Sequence, residues 1–306
     1  GDSTLTVALL TLVIVAKHGA GEIAETLKFA QRVIDLADGE LTKGNLIIGS
    51  PLASATAMRG MAGWCMGLSG WKSDLQQAIA MTRALDPMML AGIVWYVYVI
   101  AIPYGMLLPG ATALRDTADA LVNAEQSGDD LAVNLARTAR GIALLHQEGA
   151  EREPGLDLLA KARENALNER FSLTILPVTD IYTARESIRR GDIDDAITLA
   201  SEAHNATINQ GGSLWTALAA GTLVEALLQR GSRGDLEDAE AAIDRLAALP
   251  TDPGYVLHEI TVLRLRALLA RARGDEVLYR DQRDRYRKMA TDLGFEGQMV
   301  WAEAMP

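Results

Sequence analysis

The chain has 306 residues, of which 49% are hydrophobic and 23% are charged, a composition typical of a folded protein. Its formal net charge of −11 argues against a nucleic-acid surface, because binding to phosphates needs a basic field. The single cysteine, Cys65, excludes an intramolecular disulfide framework. We interpret Cys65 as a small core residue and expect a reducing, cytoplasmic location.

A short signature recurs along the chain: an apolar helical pattern, a glycine break, and then a more acidic helical pattern rich in alanine. Its clearest copies are Arg190-Gly191-Asp192, Arg230-Gly231 with Gly234-Asp235, and Arg273-Gly274-Asp275. From Gly70 onward the breaks are roughly 40 residues apart, a period typical of helical solenoids. Gly191 and Gly274 suit the left-handed turn that ends a helix, and Asp192 and Asp235 are predicted to cap the helices that follow.

In chain order, these patterns predict pairs of helices and a short terminal helix. The pairs span 3–38, 52–85, 88–126, 130–167, 173–209, 214–249 and 254–293, and the terminal helix spans 298–304. No stretch alternates between apolar and polar residues, so no strand is expected. We predict an all-α, right-handed superhelical solenoid of about seven tetratricopeptide-like helix-turn-helix pairs, forming a single domain over 1–306.

One predicted helix, 88–108, differs from the amphipathic pattern because it is apolar almost throughout. No charged residue lies between Pro87 and Leu114. Its length alone would allow a membrane span, but Pro103 interrupts it and it falls in register with the array. A buried central helix is the favoured interpretation, and a ligand pocket or a dimer seam is the alternative.

The candidate binding residues lie on the first helix of each pair, on the assumption that these helices line the concave surface. Residues at comparable distances from the glycine breaks then lie side by side. They are Met61, Trp64, Tyr98, Tyr104, Arg137, Arg140, Tyr182, Arg185, Trp215 and Glu225. Guanidinium groups flanked by aromatic rings can bind carboxylate or phosphate groups. The alternative is that the arginines pair with nearby acids and the aromatic residues belong to the core.

A basic patch is the second candidate surface. Nine Arg or Lys residues and four acids lie between Arg264 and Lys288, and Arg280, Arg283 and Arg287 share one helix face. We weigh a docking surface for an acidic partner against a solvated face with internal ion pairs, and favour the latter.

Motifs for chemistry are absent from the sequence. It contains neither a P-loop nor a nucleophile elbow, and its four histidines have no metal-ligand spacing. We therefore expect no catalysis, no cofactor and no metal in this chain. An enzyme of unfamiliar type, using Arg137, Arg140 and Tyr182, is the weakest hypothesis.

The segment Arg190-Gly191-Asp192-Ile193-Asp194-Asp195-Ala196 resembles the turn and second helix of tetratricopeptide repeats. The tail 286–297 with 301–305 resembles the end of large bacterial signalling proteins, in which a nucleotide-cyclase domain and a P-loop ATPase precede a helical array. Related regulators carry a LuxR-type DNA-binding domain. The resemblance implies a C-terminal part of a longer polypeptide whose cyclase or ATPase residues lie elsewhere, so no catalytic residue is transferred to this chain.

These observations predict a non-catalytic module for protein interaction or effector sensing. It would bind a protein segment or a small effector in the concave groove and regulate upstream domains of the same polypeptide. The alternative is an oligomerisation scaffold, a homodimer formed through the helix 88–108. No direct contact with nucleic acid or membrane is expected.

Overall fold

The computed structural model describes residues 3–47, 49–147, 149–169, 175–209 and 214–306. Within these ranges the chain forms fifteen α-helices and no strand, as the sequence predicts. The helices are α1 (Ser3–Gly19), α2 (Ile23–Ala37), α3 (Pro51–Cys65), α4 (Trp71–Thr82), α5 (Pro87–Ala101), α6 (Ala111–Ser127), α7 (Asp130–Leu145), α8 (Arg152–Glu169), α9 (Leu176–Arg190), α10 (Ile193–Asn209), α11 (Thr216–Arg230), α12 (Asp235–Ala247), α13 (Val256–Arg273), α14 (Glu276–Leu293) and α15 (Glu296–Glu303).

The helix boundaries agree with the predicted pairs to within a few residues, with one exception. The predicted helix 88–108 corresponds to α5, which ends at Ala101 and is followed by turns that include Gly105, at φ +66°. Residues 173 and 174, which the sequence assigned to the start of the ninth helix, lie outside the described residues.

The chain divides into two compact units, which are described separately. Unit 1 comprises Gly1–Pro103 and Leu107–Ile175, and unit 2 comprises Tyr104–Met106 and Leu176–Pro306. Within each unit, most helices pack against the next helix in the chain. The first helices of neighbouring pairs also touch: α1 with α3 and α3 with α5 in unit 1, and α9 with α11 and α11 with α13 in unit 2. This order of contacts is that of a helical repeat.

The glycine breaks of unit 2 adopt the backbone conformation that their sequence predicts. Gly191, Gly231 and Gly274 have φ values of +90°, +62° and +73°, in the left-handed region where a side chain would be strained. The predicted N-cap role of Asp235 is wrong. Gly234 occupies the N-cap position of α12, and the Asp235 carboxylate accepts hydrogen bonds from Arg230 and from the backbone N–H of Ser232.

The arginines that precede two of these breaks connect each pair to the pair before it. Arg230, at the end of α11, donates to Asp194 of α10 at 2.8 Å. Arg273, at the end of α13, donates to both carboxylate oxygens of Glu240 in α12, at 2.8 and 2.9 Å. For two of the three Arg-Gly sequences, an ion pair between repeats therefore explains the arginine, whereas Arg190 pairs with Glu186 of its own helix.

Helix α5 lies in the interior of unit 1. It packs against α3, α4, α6 and α7, and most of its side chains are buried. Its apolar residues are therefore covered by helices of its own unit, as the interpretation of a central helix requires. Among the described helices, none is long and apolar enough to cross a membrane. Cys65 is fully buried, in agreement with its predicted core position.

Candidate functional site

Two of the five predicted binding residues in unit 1 belong to its core. Met61 and Trp64 of α3 are both 0% exposed. The Trp64 indole packs edge-to-face against Trp71 of α4, with 5.9 Å between ring centroids. This geometry is typical of aromatic packing inside a domain. Binding of a ligand by these two residues stays a prediction, and their position gives it no support.

The other three predicted residues of unit 1 use polar atoms for contacts within the unit. Tyr98 of α5 donates to Asp116 of α6 at 2.7 Å. Arg140 of α7 donates to the Leu114 carbonyl at 2.8 Å, and Arg137 lies 3.8 Å from Glu125. Burial, followed by the hydrogen bond to Asp116, raises the pKa of Tyr98, so its hydroxyl stays protonated. Arg137 therefore lies near an acid, as in the alternative interpretation, and Arg140 donates to a backbone carbonyl instead; ligand binding by either stays a prediction.

In unit 2, Tyr104 and Trp215 lie where the segment 104–106 meets the start of α11. The Tyr104 hydroxyl donates to the carbonyl of Leu214, the residue before Trp215. The Tyr104 carbonyl accepts a hydrogen bond of 2.7 Å from the side-chain amide of Gln298, in α15. Tyr104 is 2% exposed and Trp215 is 7% exposed, so both have a structural role.

Arg185 and Tyr182, the predicted residues on α9, lie together on its surface facing α11. The Arg185 guanidinium stacks over the Tyr182 ring, 5.4 Å from its centroid. Its Nε donates to Oγ1 of Thr222 in α11 at 3.2 Å. Because the Thr222 hydroxyl donates its own proton to the Leu218 carbonyl, its oxygen is oriented to accept from Arg185. These contacts hold the guanidinium in one place.

Glu225 lies one turn after Thr222 and contacts an arginine that the predicted site did not include. Arg264 of α13 donates to Oε1 of Glu225 at 2.6 Å. The Arg264 and Glu225 side chains are 22% and 34% exposed, so solvent reaches the pair. Burial alone would raise the pKa of Glu225, but the positive charges of Arg264 and Arg185 outweigh it and hold that pKa below the usual value. The carboxylate is therefore ionised at neutral pH.

Trp301, near the end of the chain, also belongs to this region of unit 2. The Arg264 guanidinium stacks over Trp301 of α15, 5.2 Å from the ring centroid. Tyr286 of α14 donates to the Gln298 side chain, and burial raises the pKa of this phenol. The sequence did not point to either residue as part of a binding site. Arg264 was noted only as the start of a basic patch, and Trp301 only as part of the C-terminal tail.

Open space lies beside this cluster. Gly221 shares a face of α11 with Glu225, since the two are four residues apart. Outside its own stretch of helix, a Cβ atom built on Gly221 would meet no heavy atom within 4 Å among the described residues. Gly221 itself is buried, so the room shown beside it is that of one added carbon atom.

We name Arg185, Gly221, Thr222, Glu225, Arg264 and Trp301 the Arg-Glu-Arg cluster. It lies on three helices that begin successive pairs, α9, α11 and α13, and on the terminal helix α15. Two fixed guanidinium groups and one carboxylate can bind a small polar ligand by charge-assisted hydrogen bonds.

Two arginines of the basic patch on α14 contact the end of the chain, and the other basic residues of α14 pair with acids of the same helix. Arg287 donates to the carbonyls of Ala302 and Met305 at 2.9 and 2.6 Å, and Arg283 donates to the Pro306 carbonyl at 2.9 Å. Arg280 pairs with Glu276 on its own helix. Arg287 and Arg283 therefore satisfy carbonyls at and just after the end of α15, the kind of contact that ends a helix favourably.

In the part of the chain that the structure describes, no group of three or more His, Cys, Asp or Glu side chains is placed to hold a metal ion. Comparison of the chain with protein-family models gave no match, and comparison with curated proteins gave none. The class that the fold defines is therefore an all-α, repeat-like helical protein.

Proposed function

We propose that this chain is a non-catalytic, tetratricopeptide-like module that binds an effector through the Arg-Glu-Arg cluster. The observation that supports this proposal most directly is a pair of polar contacts on α11: Arg185 with Thr222, and Arg264 with Glu225. The two contacts join α11 to the first helices of both neighbouring pairs, and solvent reaches the Arg264–Glu225 pair in part. We propose further that the pairs stack as a right-handed superhelix, in which such contacts would follow the inner surface.

Binding at this cluster would act on the packing between repeats. A ligand that holds Arg185 and Glu225 together favours one spacing of α9 and α11, because the two side chains come from different helices. A change in that spacing is transmitted when the ligand has different affinities for two states. We propose that the output is the activity of a signalling domain of the same polypeptide: an ATPase, a nucleotide cyclase or a transcription regulator.

A thermal-shift screen tests the binding part of this proposal. The panel contains nucleotides, sugar phosphates, acyl compounds, amino acids and short peptides. A ligand present at 100 times its Kd should stabilise the chain by about 2.7 kcal/mol. The shift should be lost in Arg264→Ala and retained in Arg137→Ala, which changes an arginine of unit 1.

The regulatory part needs the longer polypeptide. Its nucleotide-cyclase or ATPase activity, or its DNA binding, is measured with and without residues 1–306. If neither the deletion nor Arg264→Ala changes the measured activity or DNA binding, regulation by this region is refuted.

Oligomerisation through the helix 88–108 is less well supported. Most side chains of α5 are buried inside unit 1, so this helix offers little apolar surface to a second copy. A dimer in solution that dissociates in Tyr96→Glu, a change on the part-exposed face of α5, would restore that alternative.

A further inference from the structure

In the Arg-Glu-Arg cluster, Arg185 and Glu225 each have hydrogen-bonding capacity that the described residues leave free. Among the described residues, Arg185 donates only through Nε, to Thr222, so its two Nη groups have no partner there. Glu225 accepts from Arg264 through Oε1, and Oε2 accepts no hydrogen bond from the described chain. Both groups are ionised donors or acceptors of the kind that bind ligands strongly.

These two unused groups lie within reach of one small molecule. Thr222, which holds Arg185, precedes Glu225 by three residues on α11, and residues at this spacing have Cβ atoms about 5–6 Å apart. The charges of Arg185 and Glu225 also act on each other, since Arg185 contributes to the low pKa of Glu225.

The charge pattern selects the ligand. A simple anion bound to Arg185 would lie next to the Glu225 carboxylate and be repelled by it. A simple cation bound to Glu225 would face Arg185 and Arg264. A molecule with a carboxylate for Arg185 and an ammonium group for Glu225 pairs with both and meets neither repulsion.

The distance between the two groups selects the size. Gly221 lies one turn before Glu225, and outside its own stretch of helix a Cβ on it would meet no described heavy atom within 4 Å. A ligand that joins only Arg185 and Glu225 is a small molecule rather than an extended peptide, which needs a groove. The aromatic rings of Tyr182 and Trp301, under the two arginines, supply apolar walls.

Resting on the proposed function, we infer that the effector is a small zwitterion of the free amino-acid type. Its carboxylate binds the Nη groups of Arg185, its ammonium group binds Oε2 of Glu225, and its apolar part lies over Gly221. Arg264 is a positioning residue, because it holds the Glu225 carboxylate through Oε1.

Calorimetric titration with the twenty free amino acids tests this inference. For each amino acid that binds, the matching amine without the carboxylate and the matching acid without the ammonium group are titrated as well. We expect both analogues to bind at least tenfold more weakly, a loss of about 1.4 kcal/mol each. If either analogue bound as tightly as the amino acid itself, the inference of a zwitterionic ligand would be wrong.

Variants locate the site. Glu225→Gln and Arg185→Gln should each weaken binding tenfold or more, and Gly221→Leu should abolish it, because a leucine there would occupy the face of α11 that carries Glu225. Gly92→Leu is the control in unit 1, because Gly92 is also a helical glycine whose added Cβ would meet no described heavy atom within 4 Å outside its own stretch of helix. Far-ultraviolet circular dichroism confirms that each variant is folded. Binding that survives Gly221→Leu would overturn the site.

The same variants separate this inference from the proposed function. If only peptides or phosphorylated compounds bind, and Arg264→Ala and Gly221→Leu abolish that binding, the zwitterion is wrong and the effector module stands. If no compound of either panel binds in a way that depends on Arg185, Glu225 or Arg264, both are wrong.

Discussion

The Tyr98 hydroxyl on α5 donates a hydrogen bond of 2.7 Å to Oδ2 of Asp116 on α6. The other oxygen of the same carboxylate accepts from Arg83, at 2.6 Å. Asp116 is 4% exposed, so this buried charge depends on two partners from outside its own helix. The contact ties the most apolar helix of unit 1 to its acidic neighbour.

Removing the Tyr98 hydroxyl should therefore destabilise the chain. Tyr98→Phe leaves Oδ2 of Asp116 buried without its donor, and we expect a loss of about 1–3 kcal/mol in the free energy of unfolding. Urea unfolding measures this loss. Tyr96→Phe is the control, since Tyr96 is only part-buried on the same helix, and it should change stability by less than about 0.5 kcal/mol. Equal effects of the two variants would show that the Tyr98 bond is not important for stability.

A second prediction concerns the contact between Gly297 and Gly105 in unit 2. A Cβ on Gly297 would lie 2.8 Å from Cα and 3.0 Å from the carbonyl oxygen of Gly105. Gly297→Ala must therefore move α15 away from residues 104–106, and it weakens the bond of 2.9 Å from the Gln298 N–H to the Gly105 carbonyl. We expect a destabilisation of about 1–3 kcal/mol, measured by urea unfolding.

Hydrogen exchange at the Gln298 amide adds a local measurement to this prediction. Protection of that amide should fall in Gly297→Ala more than protection of amides in α11. Gly92→Ala is the matched control: it replaces a helical glycine in open space and should leave stability unchanged or raise it by about 0.5–1 kcal/mol. A wild-type exchange rate at Gln298 would contradict the predicted displacement.

The third prediction is a dependence of stability on pH. His204 is fully buried, and burial, followed by the positive charge of Arg245, lowers its pKa to about 4, against about 6.5 in an unfolded chain. The unfolded state therefore binds more protons between these values. Stability should be complete above pH 6.5 and should fall as the pH decreases toward 4.

Urea unfolding at several pH values measures the slope. One proton contributes at most about 1.4 kcal/mol per pH unit, and His204→Gln should remove up to that amount from the slope. His18 and His258, whose pKa values burial also lowers to about 4, act in the same direction and keep part of the slope in the variant. An unchanged slope in His204→Gln would contradict the prediction.

A fourth prediction follows from the arginines of α14. Arg287 donates to two carbonyls at the end of α15, so Arg287→Ala should destabilise the chain by about 1–2 kcal/mol. Arg280→Ala breaks only an exposed pair within one helix and should cost less than about 0.5 kcal/mol. Thermal unfolding compares the two. Equal stability of the two variants would contradict this prediction.

The sequence predicted the helices well because their signals are local. Apolar residues three or four apart and glycines that favour a left-handed turn lie within a few positions of the boundary they define. The predicted end of α5 is too late because the apolar composition up to Leu108 was given more weight than Pro103, before which the helix ends. The composition does not show that the residues after Pro103 meet α15.

The candidate site was predicted only in part, for a tertiary reason. Counting back from the glycine breaks found Arg185 and Glu225, which lie on neighbouring first helices of their pairs. Arg264 and Trp301 were missed, because their place beside Glu225 depends on how α13 and α15 pack. Tyr98 and Arg140 have the right residue types, but their polar atoms contact Asp116 and Leu114.

The hydrogen bond between Gln298 and Tyr104 joins residues 194 positions apart. Ribosomal synthesis proceeds from the N-terminus, so Tyr104 leaves the ribosome long before its partner has been made. At about 5–20 residues per second, this delay is on the order of 10 to 40 seconds. Unit 2 can become complete only after that interval, and until then the carbonyls of residues 104–106 must be satisfied by water or by a chaperone.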